Sequence, residues 1–373
     1  MKKIVSMVAA ATLMASLGYA KEVKIGVVLP MSGPIGGFGQ YANKGLNFAH
    51  ELTPTLKNGD TVKLILLDNK SDKIESANAA SKLISSDKVT AIIGALTSTN
   101  TMALTKIAED GKTPVVAPVA TNPLVTKRRA FTSRVCFNDN FQGAVAANFA
   151  LNDLKVKNAV VITDVKNDYS IGISSVFKRT FKKMGGKILK TVKINQGDSD
   201  FKAMLSNVKS LNPELIFVPF YSAEVALIAK QAKQLGINAK FLGTDGMAGD
   251  KVFFEVGKDA VEGFYGTNLY SPDAPKTTEA SKVFDEKFRA KFNEAPHPFG
   301  VLSAESYNVI IAAMNACKDP SDSICVNKNI RATKNFQGVS GVISLDKNGD
   351  AVRSAVIETI KNGKAVYLKT VNP

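Results

Sequence analysis

Histidine is nearly absent from this chain: its 373 residues include two, His50 and His297. His50 falls in a segment patterned as surface helix, and His297 lies between two prolines. General acid–base and nucleophilic chemistry draws on histidine more than on any other side chain. Motifs that would place such chemistry are missing too. There is no Gly-x-Ser-x-Gly elbow, no His-Glu-x-x-His pair and no cysteine pair at metal-ligand spacing. Ser98 could be offered as the nucleophile of an exported hydrolase, but no histidine stands near it in sequence. The reading is therefore of a protein that is not an enzyme, with no catalytic residue, no metal and no cofactor.

Cysteine is scarce as well, with Cys136, Cys317 and Cys325 the complete set. Cys317 and Cys325 enclose a short loop and form the preferred disulfide in an oxidising compartment. Cys136 is then left free, as a packed core thiol. Acidic residues are outnumbered, 33 against 48 Lys and Arg, for a net charge of +15. The lysines are spread along the chain, with one tight cluster at Lys127-Arg128-Arg129. No stretch interleaves aromatics with arginines, as a nucleic-acid groove would. A solvated basic surface is the better reading, with no nucleic-acid partner.

Long apolar runs are confined to the N-terminus. Residues 1–20 combine Lys2 and Lys3, an apolar Ile4–Leu17 stretch and a small-residue Gly18-Tyr19-Ala20 end. This is the pattern of a secretory signal peptide. The apolar run is short of the ~20 residues a membrane span needs, and no Cys follows for a lipid anchor. The mature protein is expected to begin near Lys21 and to be soluble in the periplasm.

What the chain does contain is a repeating grammar of apolar run, polar loop and amphipathic segment. Val23–Leu29, Val62–Leu67, Ala91–Gly94 and Pro114–Pro118 read as buried strands, each ending in a polar loop. The same order restarts after about residue 140, with strands at Ala159–Thr163, Ile188–Lys193, Leu215–Pro219 and Lys240–Gly243. Short connections between strands and helices argue two doubly wound parallel sheets in tandem. Past Phe264 the pattern changes to helices and a terminal hairpin, which complete the earlier lobes rather than start a third sheet.

In such sheets ligands bind at the carboxyl ends of the strands. There the chain offers Ser98 and Thr121, whose hydroxyls, with helix N-terminal N–H groups, suit a carboxylate. Asp245 suits an ammonium group. Tyr169 and Tyr221 can cover an apolar side chain. The Gly-rich stretch before Tyr41 imitates a dinucleotide fingerprint, but six residues separate Pro30 from Gly37, whereas the fingerprint follows its strand directly. It reads instead as a loop whose glycines let backbone approach a ligand, with Phe38 presenting a flat apolar face. Asp346-Lys-Asn-Gly-Asp350 imitates a calcium loop, but Ala351 stands where glycine is needed, so a tight Asn-Gly turn is expected.

The motifs MSGPIGGFGQYANKG, IIGALTSTNT, APVATNPLVT, DVKNDYSIG, GDSDF, ELIFVPFYSAE, FLGTDGMAG and SLDKNGD, in this order, resemble those of periplasmic binding proteins of the leucine/isoleucine/valine type. Those are soluble receptors of ABC importers. The resemblance covers nearly all of the mature chain. It implies two lobes joined by a three-stranded hinge, near Asn138–Asn140, Tyr270 and Ser344–Asp346. The first lobe would hold residues 21–139 and 271–344, and the second 140–270 and 345–373. It implies α-carboxylate binding by Ser98 and Thr121. The Val119 carbonyl and Asp245 would take the ammonium, Tyr169 and Tyr221 would close from the second lobe, and Phe38 would line the side-chain pocket. Its partners would be an apolar, first of all branched-chain, amino acid and a membrane permease, with the receptor a monomer. An amide, an aromatic acid or a short peptide is the rival ligand. The chain departs from the family in having Asp245 where Glu is common, and Asn69 and Thr97 where some members carry a disulfide. Phe299 and Leu302 compete for one pocket-lining position.

Overall fold

The computed structural model describes residues 20–247 and 250–373. The signal-peptide reading of residues 1–20 lies outside the described residues, Ala20 excepted. From Glu22 the chain alternates strand and helix: β1 (Glu22–Leu29), α1 (Gly36–Leu52), β2 (Thr61–Asp68), α2 (Lys73–Ser85), β3 (Ala91–Gly94), α3 (Ser98–Asp110), β4 (Val115–Ala117) and β5 (Thr132–Arg134). These five strands form one parallel sheet in the order β2-β1-β3-β4-β5.

The pattern then repeats as α4 (Asp139–Asn148), β6 (Asn158–Asp164), α5 (Asp168–Lys183), β7 (Lys187–Ile194), α6 (Lys202–Lys209), β8 (Leu215–Phe217), α7 (Ser222–Gln234), β9 (Lys240–Gly243), α8 (Lys251–Gly257) and β10 (Tyr265–Asn268). The second sheet runs β7-β6-β8-β9-β10, parallel throughout and of the same winding as the first. Helices cover both faces, as an all-parallel sheet requires. Leu83, Leu104 and Ala108 pack on one face of the first sheet, and Leu205, Val225 and Phe253 on one face of the second. The opposite faces feed one continuous core that includes Leu46, Tyr307, Phe177 and Phe217.

The remaining elements are α9 (Glu279–Phe292), α10 (Pro298–Asn315), α11 (Ser323–Arg331), β11 (Phe336–Gly338), β12 (Gly341–Leu345), β13 (Ala351–Val352), β14 (Ala355–Lys361) and β15 (Lys364–Val371). Helix α10 is buried along most of its length and crosses α1. A Cβ built on Gly45 would lie 2.2 Å from the Gly300 carbonyl oxygen, so glycine sets how closely the two helices approach. Strand β14 pairs antiparallel with β10, and β15 with β14, which extends the second sheet. Cys317 and Cys325 are joined by a disulfide, and Cys136 is buried and unpaired. Among the described residues no helix is long and apolar enough to cross a membrane.

Three sequence expectations need correction. The Gly-rich stretch read as a loop is already helical from Gly36, so Phe38 stands on α1 and not on a loop. The glycine there serves the chain's own packing, since a Cβ on Gly39 would lie 2.1 Å from the Pro30 carbonyl oxygen. The second arm of the expected terminal hairpin is split into β13 and β14. Asp346 accepts the N–H groups of Asn348 and Asp350 to make the turn, β13 pairs with β12, and the chain enters the second sheet only at β14. The third crossing therefore lies at Arg353-Ser354, beyond the Ser344–Asp346 expected. Arg353 stands at this crossing, a buried guanidinium that donates to Val135 O (3.1 Å) and Leu269 O (2.9 Å) on the other two. Finally, His50 is half-buried, with Nε2 2.8 Å from Val62 O.

Candidate functional site

Both sheets reverse their strand order at one point, between β1 and β3 in the first and between β6 and β8 in the second. The loops leaving these strands diverge and open a crevice, the usual ligand position of this architecture. Phe38 follows β1, and Leu96, Thr97 and Ser98 follow β3. Tyr169 follows β6, and Tyr221 follows β8. Together with Val119 and Thr121 after β4, Asp245 and Gly246 after β9, and Phe299 on α10, they line a single small cavity. All seven residues singled out from the sequence face this one space. Phe299 lines it, and Leu302 is buried in the core.

One wall is built for an anion. Ser98 opens α3, and the preceding Thr97 makes no side-chain cap, so the first-turn N–H groups point out without a local acceptor. The Thr97 hydroxyl instead meets the Tyr221 phenol from the other side of the cleft. Ser98 Oγ accepts the N–H of Asn122 at 3.1 Å, which ties the β3 loop to the β4 loop and leaves the hydroxyl proton to be donated. Thr121 Oγ1 is buried with no hydrogen-bond partner among the described residues. A buried hydroxyl without a partner is costly unless a ligand supplies one.

The opposite wall carries negative charge. Asp245 Oδ1 accepts Tyr169 OH at 2.8 Å and Gln142 Nε2 at 2.8 Å. Burial pushes its carboxyl up to about 6 in spite of these two donors. Burial, and then the charge of Asp245, hold the Tyr169 phenol well above its usual range, so it stays a donor. Aromatic faces close the rest. Tyr169 and Tyr221 stack at 6.0 Å, and Phe38 meets Tyr221 edge-on at 5.7 Å and Phe299 at 5.0 Å. Gly246 permits this closure, because a Cβ there would lie 2.8 Å from Phe220 O and 3.2 Å from both tyrosine rings. Direct hydrogen bonds also span the cleft, from Asn122 Nδ2 to Asp168 O (2.8 Å) and from Asp168 N to Thr99 Oγ1 (3.2 Å).

Sequence reasoning missed the layer beneath. Arg134 is fully buried. It donates Nε to Asp350 (2.7 Å), one Nη to Ala120 O (2.7 Å), and the other to Asn122 O (3.0 Å) and Thr126 Oγ1 (2.8 Å). The loop that presents Thr121 is thus shaped by a guanidinium and by the carboxylate of the imitated calcium loop. Asp139 and Gln142 were missed as well. The partner of Gln142, Asp245, lies 103 residues off in sequence, and the Asp139 side chain has no hydrogen-bond partner among the described residues. No local pattern marks such a pair.

No histidine lines the cavity, and the described residues hold no cluster of three His, Cys, Asp or Glu that could bind a metal. Cys136 is inert, its thiol pushed up to about 12 by burial. The arrangement can hold a small zwitterion: hydroxyls and N–H groups for a carboxylate, a carboxylate for an ammonium group, and aromatic rings for an apolar side chain.

The chain is similar to proteins already known. Residues 22–365 match the family described as periplasmic binding protein. A leucine-, isoleucine-, valine-, threonine- and alanine-binding protein of Pseudomonas aeruginosa is 30% identical over 334 residues, 89% of this chain and 87% of that one. The leucine-binding protein LivK of Thermotoga maritima is 43% identical with a TM-score of 0.91, over 94% of this chain and 99% of that one. The branched-chain amino acid transporter substrate-binding protein LivJ of Streptococcus pneumoniae, solved in complex with isoleucine, is 30% identical. Its TM-score is 0.88, over 95% of this chain and 100% of that one.

Proposed function

This chain belongs to the periplasmic binding protein family, and from that premise we propose that it is the receptor of an ABC importer for an apolar, branched-chain amino acid. The observation that carries the reading is the cavity itself, with hydroxyl and N–H donors on one wall, Asp245 on the other and four aromatic rings around them. The small space left between these walls suits one amino acid better than a peptide. Ser98 and Thr121 take the α-carboxylate, Val119 O and Asp245 the ammonium group, and Phe38, Tyr169 and Tyr221 the side chain.

Two lobes close on the ligand. They comprise residues 21–139 with 271–344 and residues 140–270 with 345–373, save that the segment up to β13 moves with the first lobe through its pairing to β12. The ligand stabilises the closed form by contacts to both lobes, and a membrane permease reads the closed monomer. Thermal shift against the twenty amino acids tests the reading. Leucine, isoleucine and valine are expected to raise the melting temperature, and aspartate and lysine are not. Stabilisation by benzoate-like acids with no response to any amino acid would overturn it.

A further inference from the structure

A second buried acid lies behind the lining of the cavity. Asp139 opens α4, is fully buried, and is pinned to the carboxylate-binding loop by its N–H, which donates to Thr121 O at 2.9 Å. Neither of its carboxylate oxygens accepts a hydrogen bond among the described residues, though the Thr121 hydroxyl stands close by. A buried carboxylate in that condition is poorly supported as an anion.

Four groups face it. Asp245 is a like charge, and the Tyr169 phenol already donates to Asp245. The Arg134 guanidinium is favourable, but its donors are engaged by Asp350, Ala120 O, Asn122 O and Thr126. The Thr121 hydroxyl is the fourth. The N-terminus of α4 would favour an anion, yet its first-turn N–H groups are taken by the Asn138 side chain. Of the two acids, Asp245 has two donors and is the better anion. Burial, with the charge of Asp245, holds Asp139 well above the usual carboxylate range.

Resting on the amino-acid reading, we propose that Asp139 carries a proton in the ligand-free site, that the ligand's ammonium group takes that proton's place, and that capture of an amino acid at neutral pH expels one proton to solvent. The exchange balances: the acid O–H ionises, the proton passes to buffer, and the ammonium keeps its three protons between two carboxylates. A carboxylate lacking the amine has nothing to put in the proton's place, so the pair discriminates amino acids from simple carboxylic acids. Proton linkage makes leucine affinity rise with pH, by up to about tenfold per unit, until Asp139 ionises unaided.

Isothermal titration with leucine at about pH 8, where Asp245 is ionised in both states, tests the exchange in buffers of different ionisation enthalpy. Close to one proton released per leucine is expected for the wild type, and close to none for Asp139→Asn, which keeps the side-chain shape. Infrared difference spectra of the wild-type protein supply a readout independent of the variant's folding. Leucine should remove the carbonyl band of one protonated acid, and the ligand-free Asp139→Asn protein should lack that band. Leucine binding without proton release, a band that survives saturation, or equal release by Asp139→Asn overturns the exchange while leaving the receptor reading intact. Absence of heat with any amino acid fails both.

Discussion

Asp245 serves binding at the expense of folding. Its carboxyl, ordinarily near 3.9, is raised to about 6 by burial. Between those values the folded protein binds more protons than the unfolded chain, so stability falls as pH rises through the window and the penalty is complete above it. Two pH units correspond to roughly 3 kcal/mol. Asp245→Asn is therefore expected to raise the melting temperature of the ligand-free protein at neutral pH by several degrees, with the advantage gone below about pH 4. The same substitution should weaken amino-acid binding roughly a hundredfold, since it removes one partner of a buried charge pair. Calorimetry and melting across pH check both. An Asn variant that is less stable at neutral pH would mean that Tyr169 and Gln142 stabilise the carboxylate beyond its desolvation cost.

Elements were legible where one segment decides its own structure. AIIG and PVVAP are apolar and end in small polar loops, and they became β3 and β4 with Ser98 and Thr121 at their carboxyl ends. Strand β10 was not legible, because Tyr-Gly-Thr-Asn has no apolar run. It is a strand because β9 and β14 flank it. The start of α1 was hidden for a related reason. Its glycines resemble loop residues until Pro30 and Gly300 are seen pressed against them. That contact gives an element-scale prediction. Gly45→Ala forces α1 away from α10 and should cost about 3 kcal/mol in denaturant unfolding, at the upper end of overpacking effects. The seven cavity-lining residues named from the sequence were readable because strand order brings them to one edge. Arg134, Asp139 and Gln142 were not, since each acts through a partner on another element.

At the scale of the molecule, the three crossings meet at Arg353, which binds Val135 O and Leu269 O and lies in the field of the buried Glu305 carboxylate. Arg353→Met would strip the crossings of this tie and leave the Val135 and Leu269 carbonyls without their donor. Each lost hydrogen bond to a charged group is worth roughly 1.5–3 kcal/mol, and small-angle scattering should show a broader spread of lobe separations without ligand. Unchanged scattering would make Arg353 a packing residue only. The same interleaving governs how the chain can assemble. The first sheet waits for α10 to cover it, and the second lacks β14 and β15 until the last residues are made. Neither half can finish its core while the ribosome still holds the C-terminus, so folding is a single late event dominated by long-range contacts, slow by the standards of its size. A nascent chain of this design stays open throughout its synthesis.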